Sequence, residues 1–171
     1  SIWCTHFIAM LAYVVRAPFT FDAGLTAFSL IVAIVGAVAG IFVALSGGGR
    51  ARVLLGGAML GGTVAAMHYL GMLGYRVDGY VDWSVGYVVA SVAIGAVLCA
   101  LSMMHAVERP TKHSHAVAIA LFVVAVVGLH FTGMAAYTVT PMVTGAPIAD
   151  TAAHSALAIA IAGVSSIIAA T

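Results

Sequence analysis

The sequence has very few charged residues: Asp, Glu, Lys and Arg make up 6% of its 171 residues, whereas 64% are hydrophobic and the mean hydropathy is +1.19. A soluble globular domain carries about 25% charged residues, so this chain cannot cover itself with a solvated surface. A net charge of +1 and the lack of any basic run argue against nucleic acid as a partner. The composition indicates an integral membrane protein.

Cysteines and catalytic groups are also scarce. Cys4 and Cys99 both lie inside apolar stretches and imply no disulfide framework. No carboxylate, nucleophile or cofactor loop accompanies the histidines within the apolar segments, so the domain is predicted not to be an enzyme. A cytoplasmic output domain fused to it could still be one.

Apolar runs separated by polar residues predict six membrane segments, at residues 1–15, 24–46, 52–75, 84–107, 115–138 and 151–171. The last five have roughly the 20 residues that a membrane helix needs. The first is too short for a hydrocarbon core about 30 Å thick, so we expect it to be the truncated end of a longer helix, with more chain upstream. Short connections predict antiparallel neighbours in one helix bundle.

The distribution of positive charge predicts the orientation. One side of the predicted bundle carries four basic residues, and the other carries only Arg16 and Arg76. By the positive-inside rule the first side is cytoplasmic, which also places the C-terminus in the cytoplasm. The four residues are Arg50, Arg52, Arg109 and Lys112.

One pattern, His-aromatic-x-x-Met-x-x-Tyr, occurs three times. Its copies are His6, Met10 and Tyr13, then His68, Met72 and Tyr75, then His130, Met134 and Tyr137. The repeat period is 62 residues (68 − 6 = 62 and 130 − 68 = 62), and Ser29 and Ser91 obey it as well. The sequence therefore predicts an all-α integral membrane fold: a polytopic bundle built from a triplicated two-helix repeat.

The motif spacing predicts where the histidines lie. Positions i, i+4 and i+7 fall on one face of a helix, so His, Met and Tyr should form a row. A two-helix repeat makes the three motif helices parallel, and their rows should lie at one depth in the outer half of the membrane. Intramembrane ionisable groups normally face the bundle interior, so His6, His68 and His130 are predicted to converge.

Converging imidazole and thioether groups suit copper, above all Cu(I), whereas zinc sites rarely use methionine. The candidate ligands are His6, Met10, His68, Met72, His130 and Met134. Tyr13, Tyr75 and Tyr137 are predicted to support the site by orienting an imidazole or excluding water. The alternative is structural: hydrogen-bonded histidines and methionine as core filler. The triplication favours the ligand interpretation.

Ala66–Met72 and Leu129–Met134 resemble the signature of the MHYT domain family, and Ser1–Met10 resembles its first motif copy. The resemblance covers essentially the whole chain. It implies a bacterial integral membrane sensor, usually of seven spans, whose His and Met residues are proposed to bind copper and sense oxygen, carbon monoxide or nitric oxide. Members are commonly fused to cytoplasmic diguanylate cyclase and phosphodiesterase domains.

The chain departs from the family pattern at four positions. Thr5 and Leu129 stand where the name-giving methionine is usual, Ala9 replaces a glycine and Phe131 replaces a tyrosine. None of these departures removes a proposed ligand.

The leading hypothesis is therefore a non-catalytic sensory input domain over residues 1–171, in the bacterial cytoplasmic membrane, that binds copper and a diatomic gas or responds to redox state. A membrane haem protein with His/Met axial ligation is one alternative. A copper transporter is another, for which His105, Met103 and Met104 are the candidates toward the cytoplasm. The metal's identity and number, the signal, the output domain and the oligomeric state, a homodimer included, stay open.

Overall fold

The computed structural model describes residues 2–12, 19–108, 111–142, 158–159 and 162–163. Its helices are α1 (Ile2–Ala12), α2 (Ala23–Leu45), α3 (Arg50–Gly74), α4 (Val85–Glu108) and α5 (Lys112–Ala135). Helices α2 to α5 are long and apolar enough to cross a membrane, and α1 is a shorter apolar helix. These four spans match predicted segments with ends within about three residues. The sixth predicted segment lies almost entirely outside the described residues, so six spans stay a prediction.

The long helices expose apolar side chains around much of their surface. Phe42 is 71% exposed, Val38 64% and Ile119 66%. In water such surfaces would drive aggregation, whereas in a bilayer they contact acyl chains at no cost. The exposed faces therefore support a membrane bundle in which burial inside the protein is limited to one face of each helix.

Four short strands, none of them predicted from the sequence, lie at the ends of the helices or in the connections between them. They are β1 (Phe19–Phe21), β2 (Tyr75–Val77), β3 (Gly79–Trp83) and β4 (Tyr137–Pro141). β1 pairs antiparallel with β2, and β3 with β4. Because β2 and β4 directly follow α3 and α5, and β1 follows α1, the C-terminal ends of all three motif helices lie at this end of the bundle. We call it the capped end.

The two sheets repeat the same pairing, shifted by one repeat period. Phe21 pairs with Tyr75 in the first sheet, and Trp83 pairs with Tyr137 in the second (83 − 21 = 137 − 75). The junctions with the next helices also match: the Asp22 N–H donates to Gly74 O at 2.8 Å, and the Ser84 N–H donates to Ala136 O at 2.9 Å. The rest of the third unit lies outside the described residues, so the complete triplication stays a prediction.

Glycine permits both the turn and the close packing that join α2 to α3. Gly47, Gly48 and Gly49 have φ values of 77°, 107° and 79°, a region that residues with a Cβ rarely adopt. Further along, a Cβ added at Gly40 would lie 2.9 Å from the carbonyl oxygen of Gly56. The absent side chains let the two backbones approach and hold α3, the central motif helix, firmly in the bundle.

Candidate metal centre

The three motif histidines meet on the axis between α1, α3 and α5. Their ring centroids lie 4.9 Å apart for His6 and His68, 5.2 Å for His68 and His130, and 5.6 Å for His6 and His130. One ring nitrogen from each residue lies within 4.8 Å of those of the other two. The predicted convergence is confirmed, while the role of these residues as metal ligands stays a prediction.

The imidazoles are buried but their hydrogen bonding is incomplete. His6 is 5% exposed and His68 1%, whereas His130 is half-buried. The Nδ1 atoms of His6 and His68 are 3.2 Å apart, and only one of them can donate the shared proton. Among the described residues, the buried Nε2 atoms of His6 and His68 have no hydrogen-bond partner. Buried polar atoms are normally paired. Two imidazoles that each keep a nitrogen without a partner are therefore unusual for a purely structural core.

Glycines of the neighbouring helices make room for the rings. A Cβ added at Gly71 would lie 2.5 Å from Nε2 of His6, and a Cβ added at Gly133 would lie 2.5 Å from Nε2 of His68. Gly133 and His68 each lie one repeat period after Gly71 and His6, so the same glycine–histidine contact occurs twice. No role for these glycines was predicted from the sequence. The pattern that could have indicated one is a glycine three residues after two of the three histidines.

The methionines gather on the capped-end side of the histidines. Met10 and Met72 are 0% and 1% exposed, and Met134 is partly buried against them. We call this cluster the methionine layer; its other buried members are Phe19, Tyr75 and Tyr137. The structure thus brings the three predicted methionines together one helical turn from the histidines.

The tyrosines do not lie where the helical row predicted them. Tyr75 begins β2 and Tyr137 begins β4, so the prediction that they continue the His/Met face of a helix is wrong. The reason is local, because tyrosine followed by Arg76-Val77 or Thr138-Val139 favours extended backbone. Both rings are buried at the capped end of the methionine layer, which fits a role in excluding water. Tyr13 lies outside the described residues.

Buried serines tie the motif helices to their neighbours. The indole N–H of Trp3 donates to Ser29 Oγ at 3.0 Å, joining α1 to α2. Tyr69 and Ser91 share a hydrogen bond between their hydroxyls that joins α3 to α4. The matching serines were visible in the sequence, but their different partners were not.

The remaining histidines lie apart from this centre. His105 Nδ1 is 3.4 Å from Ser114 Oγ, near the other end of the bundle. His113 and His115 are exposed and lie in the first turn of α5, which Thr111 caps by accepting from the Ser114 N–H at 3.1 Å. His154 lies outside the described residues.

Comparison with known proteins identifies the family. The profile described as MHYT, a bacterial signalling protein N-terminal repeat, matches residues 1–57 and 61–121. The bifunctional diguanylate cyclase/cyclic di-GMP phosphodiesterase MucR of Pseudomonas aeruginosa is 33% identical over 142 residues, which are 80% of this chain and 21% of MucR. The cyclic di-GMP phosphodiesterase NbdA of the same organism is 33% identical over 143 residues, 80% of this chain and 18% of NbdA.

A signaling protein of Caulobacter vibrioides is 33% identical over 141 residues, covering 82% of this chain and 17% of that protein. The chain therefore spans about a fifth of the length of these relatives. No solved structure matches it. Because the family profile covers well over half of the chain in two consecutive copies, the chain belongs to the MHYT family of bacterial membrane signalling domains.

Proposed function

We propose that this chain is the sensory input domain of a larger bacterial signalling protein, and that it binds copper and responds to a diatomic gas (oxygen, carbon monoxide or nitric oxide) or to redox state. The observation that carries the proposal is the meeting of His6, His68 and His130 from three different helices. Relatives whose names state cyclic di-GMP synthesis or hydrolysis are about four to five times as long as this chain. They support a cytoplasmic output of that kind.

The donor set fits a transition metal. Imidazole nitrogens bound at about 2.0–2.1 Å to one ion lie roughly 3.3–3.6 Å from each other, close to the 3.2 Å between Nδ1 of His6 and Nδ1 of His68. The adjacent methionine layer offers thioethers, the soft ligands that favour Cu(I). Copper held there would supply a coordination position for a small ligand and a one-electron redox couple.

The architecture suits signal transmission. Each imidazole belongs to a different helix, so any change in the separation of the three rings must move α1, α3 or α5 against the others. The glycine contacts at Gly71 and Gly133 leave no slack for the rings of His6 and His68 to move alone. Signalling then requires that ligand binding favour one of two helix arrangements.

The two alternatives have less support. The cavity beside the histidines has a volume of about 170 Å³, below the roughly 300–1,000 Å³ typical of sites for larger organic ligands such as a porphyrin. For a transporter, a path from the histidines toward His105 would run between apolar side chains such as Val64 and Leu129, which offer no ligand. Sensing by a bound ion is therefore the better match.

Metal content of the purified domain tests the proposal. The parent should bind copper stoichiometrically, and His68→Ala should lose it, because His68 is the most buried of the three imidazoles. His105→Ala is the matched control and should keep the parental content, since His105 bonds to Ser114 far from the trio. Equal copper in the parent and in His68→Ala would falsify the site.

A further inference from the structure

A cavity of about 170 Å³ lies directly against the three histidines. It is on the side of the rings opposite the methionine layer, because its walls come from residues one helical turn before each histidine. The histidine trio therefore separates two compartments, one filled by methionine and tyrosine side chains and the other empty of side chains.

Each motif helix contributes the same positions to this axial cavity. One ring of its lining is formed by Ile2, Val64 and Val126, and a second by Thr5, Met67 and Leu129. Successive members of each ring are one repeat period apart, so the cavity follows the repeat as the histidines do. The second ring is the position that precedes each histidine, and its three side chains have no chemistry in common. The positions share a place in the wall.

Among the described residues, the cavity is open at one corner. Gly71 of α3 packs on His6 and Gly133 of α5 packs on His68, and by the same period the residue facing His130 is Ala9 of α1. Its methyl group prevents the close approach that glycine allows at the other two corners. Ala9 and His130 both line the cavity, His130 is only half-buried, and the adjacent Phe131 is 68% exposed. Among the described residues, α1 and α5 also contact each other less than either contacts α3.

We propose that the axial cavity binds one small uncharged apolar molecule, between a diatomic gas and benzene in size, in contact with the imidazoles. The proposal rests on the proposed function in one respect only: the bound molecule would be the signal or a surrogate for it. The binding itself needs only the cavity.

Size and chemistry both favour such an occupant. An engineered protein cavity of about 150 Å³ lined by Leu, Ile and Phe stays dry and binds benzene or xenon. The axial cavity is slightly larger, and its polar side chains are the three imidazoles and Thr5. A water molecule needs two to four polar partners, so the aliphatic part of the cavity holds water poorly. Small uncharged molecules dissolve readily in the hydrocarbon of a bilayer, which keeps them available to a membrane domain.

Xenon is the probe that tests the cavity without any metal. Crystals of the purified, metal-free protein, pressurised with xenon, should show one xenon site between Val64, Val126 and the histidines. Ala9→Leu should abolish that site by filling the open corner, and Val126→Phe should do so from the opposite wall. Ile8→Leu is the matched control, because Ile8 is 55% exposed beside Ala9 and does not line the cavity. It should retain the parental xenon occupancy.

Three results would overturn the proposal: no xenon at the site in the parent, equal xenon occupancy in the parent and both filled variants, or electron density for a lipid acyl chain or for the chain's own residues in the cavity. In copper-loaded protein, Ala9→Leu should weaken carbon monoxide binding at least tenfold at unchanged copper content, and an unchanged affinity would also count against the cavity. If the parent holds no copper, the proposed function fails while the xenon result still decides the cavity.

Discussion

At the residue scale, the glycines beside the histidines are as informative as the histidines themselves. The sequence predicted that His6, His68 and His130 converge, because triplicated ionisable residues in apolar helices have to face one another. It did not predict that Gly71 and Gly133 accommodate the rings, since a helical glycine has many possible roles and only the packing distinguishes them. For the same reason, the consequence of alanine at position 9 became visible only with three helices in place.

Gly71→Ala should disturb the histidine centre although it replaces none of the candidate ligands. The added methyl would lie 2.5 Å from Nε2 of His6, so the ring or the helix must shift, at a cost of about 1–3 kcal/mol in the free energy of unfolding. Gly62→Ala on the same helix is the control, because its methyl meets nothing within 4 Å. Thermal unfolding in detergent and copper content should both fall for Gly71→Ala and stay parental for Gly62→Ala. Equal behaviour of the two variants would show that the contact is unimportant.

The methionine layer allows a matched test of ligation. Met72 and Met67 are both buried on α3, but Met72 lies in the methionine layer and Met67 lines the axial cavity. Replacing either by leucine nearly conserves volume, so stability should change by less than about 1.5 kcal/mol. Competition with a Cu(I) chelator should show at least tenfold weaker binding for Met72→Leu, about 1.4 kcal/mol, and no weakening for Met67→Leu. Equal affinities would leave the histidines as the only ligands.

At the element scale, the long helices were predictable and the strands were not. Some 20 consecutive apolar residues specify a span by themselves, which is why α2 to α5 lie within about three residues of their predicted ends. The strands are only three to five residues long, and each is paired with a segment more than 50 positions away. Nothing local in Phe19–Phe21 specifies such a partner, so the pairing of β1 with β2 and of β3 with β4 could not be predicted.

The contact between β2 and the start of α2 predicts that part of the stability of the domain is lost in acid. Asp22 accepts from the Leu25 N–H at 3.0 Å and from Arg76 Nη2 at 3.0 Å. The Leu25 N–H, and then the Arg76 guanidinium, hold the pKa of Asp22 below its usual value. A carboxylate with a lowered folded-state pKa contributes stability that is present above its unfolded pKa, about 3.9, and that is lost as the pH falls through the folded value.

Asp22→Asn should therefore remove part of the loss of stability in acid. Asparagine still caps the helix but cannot ionise, so the melting temperature of the variant should fall less than that of the parent between about pH 6 and pH 3. Asp82→Asn, on exposed β3, serves as the control and should follow the parent. Melting curves of the parent and Asp22→Asn that run parallel across this range would contradict the assignment.

At the scale of the whole molecule, the repeat period connects sequence to fold. It places one histidine, one methionine and one capped-end junction in each unit, and the pairing register of the two sheets repeats it. Sequence alone specified this periodicity because it is a property of spacing. It could not specify how far the symmetry is broken among the described helices, where α1 and α5 contact each other less than either contacts α3.

The orientation of the bundle predicts which end reagents reach from outside the cell. If the basic side is cytoplasmic, the capped end faces outward, and the Ser46–Gly49 turn faces the cytoplasm. The native cysteines, Cys4 and Cys99, are both buried and should stay unlabelled, so single cysteines can be added directly at the exposed Asp78 and Ser46. In intact cells a membrane-impermeant maleimide should label Asp78→Cys, and it should label Ser46→Cys only after permeabilisation. The reverse pattern would place the histidine centre nearer the cytoplasmic face and overturn the orientation.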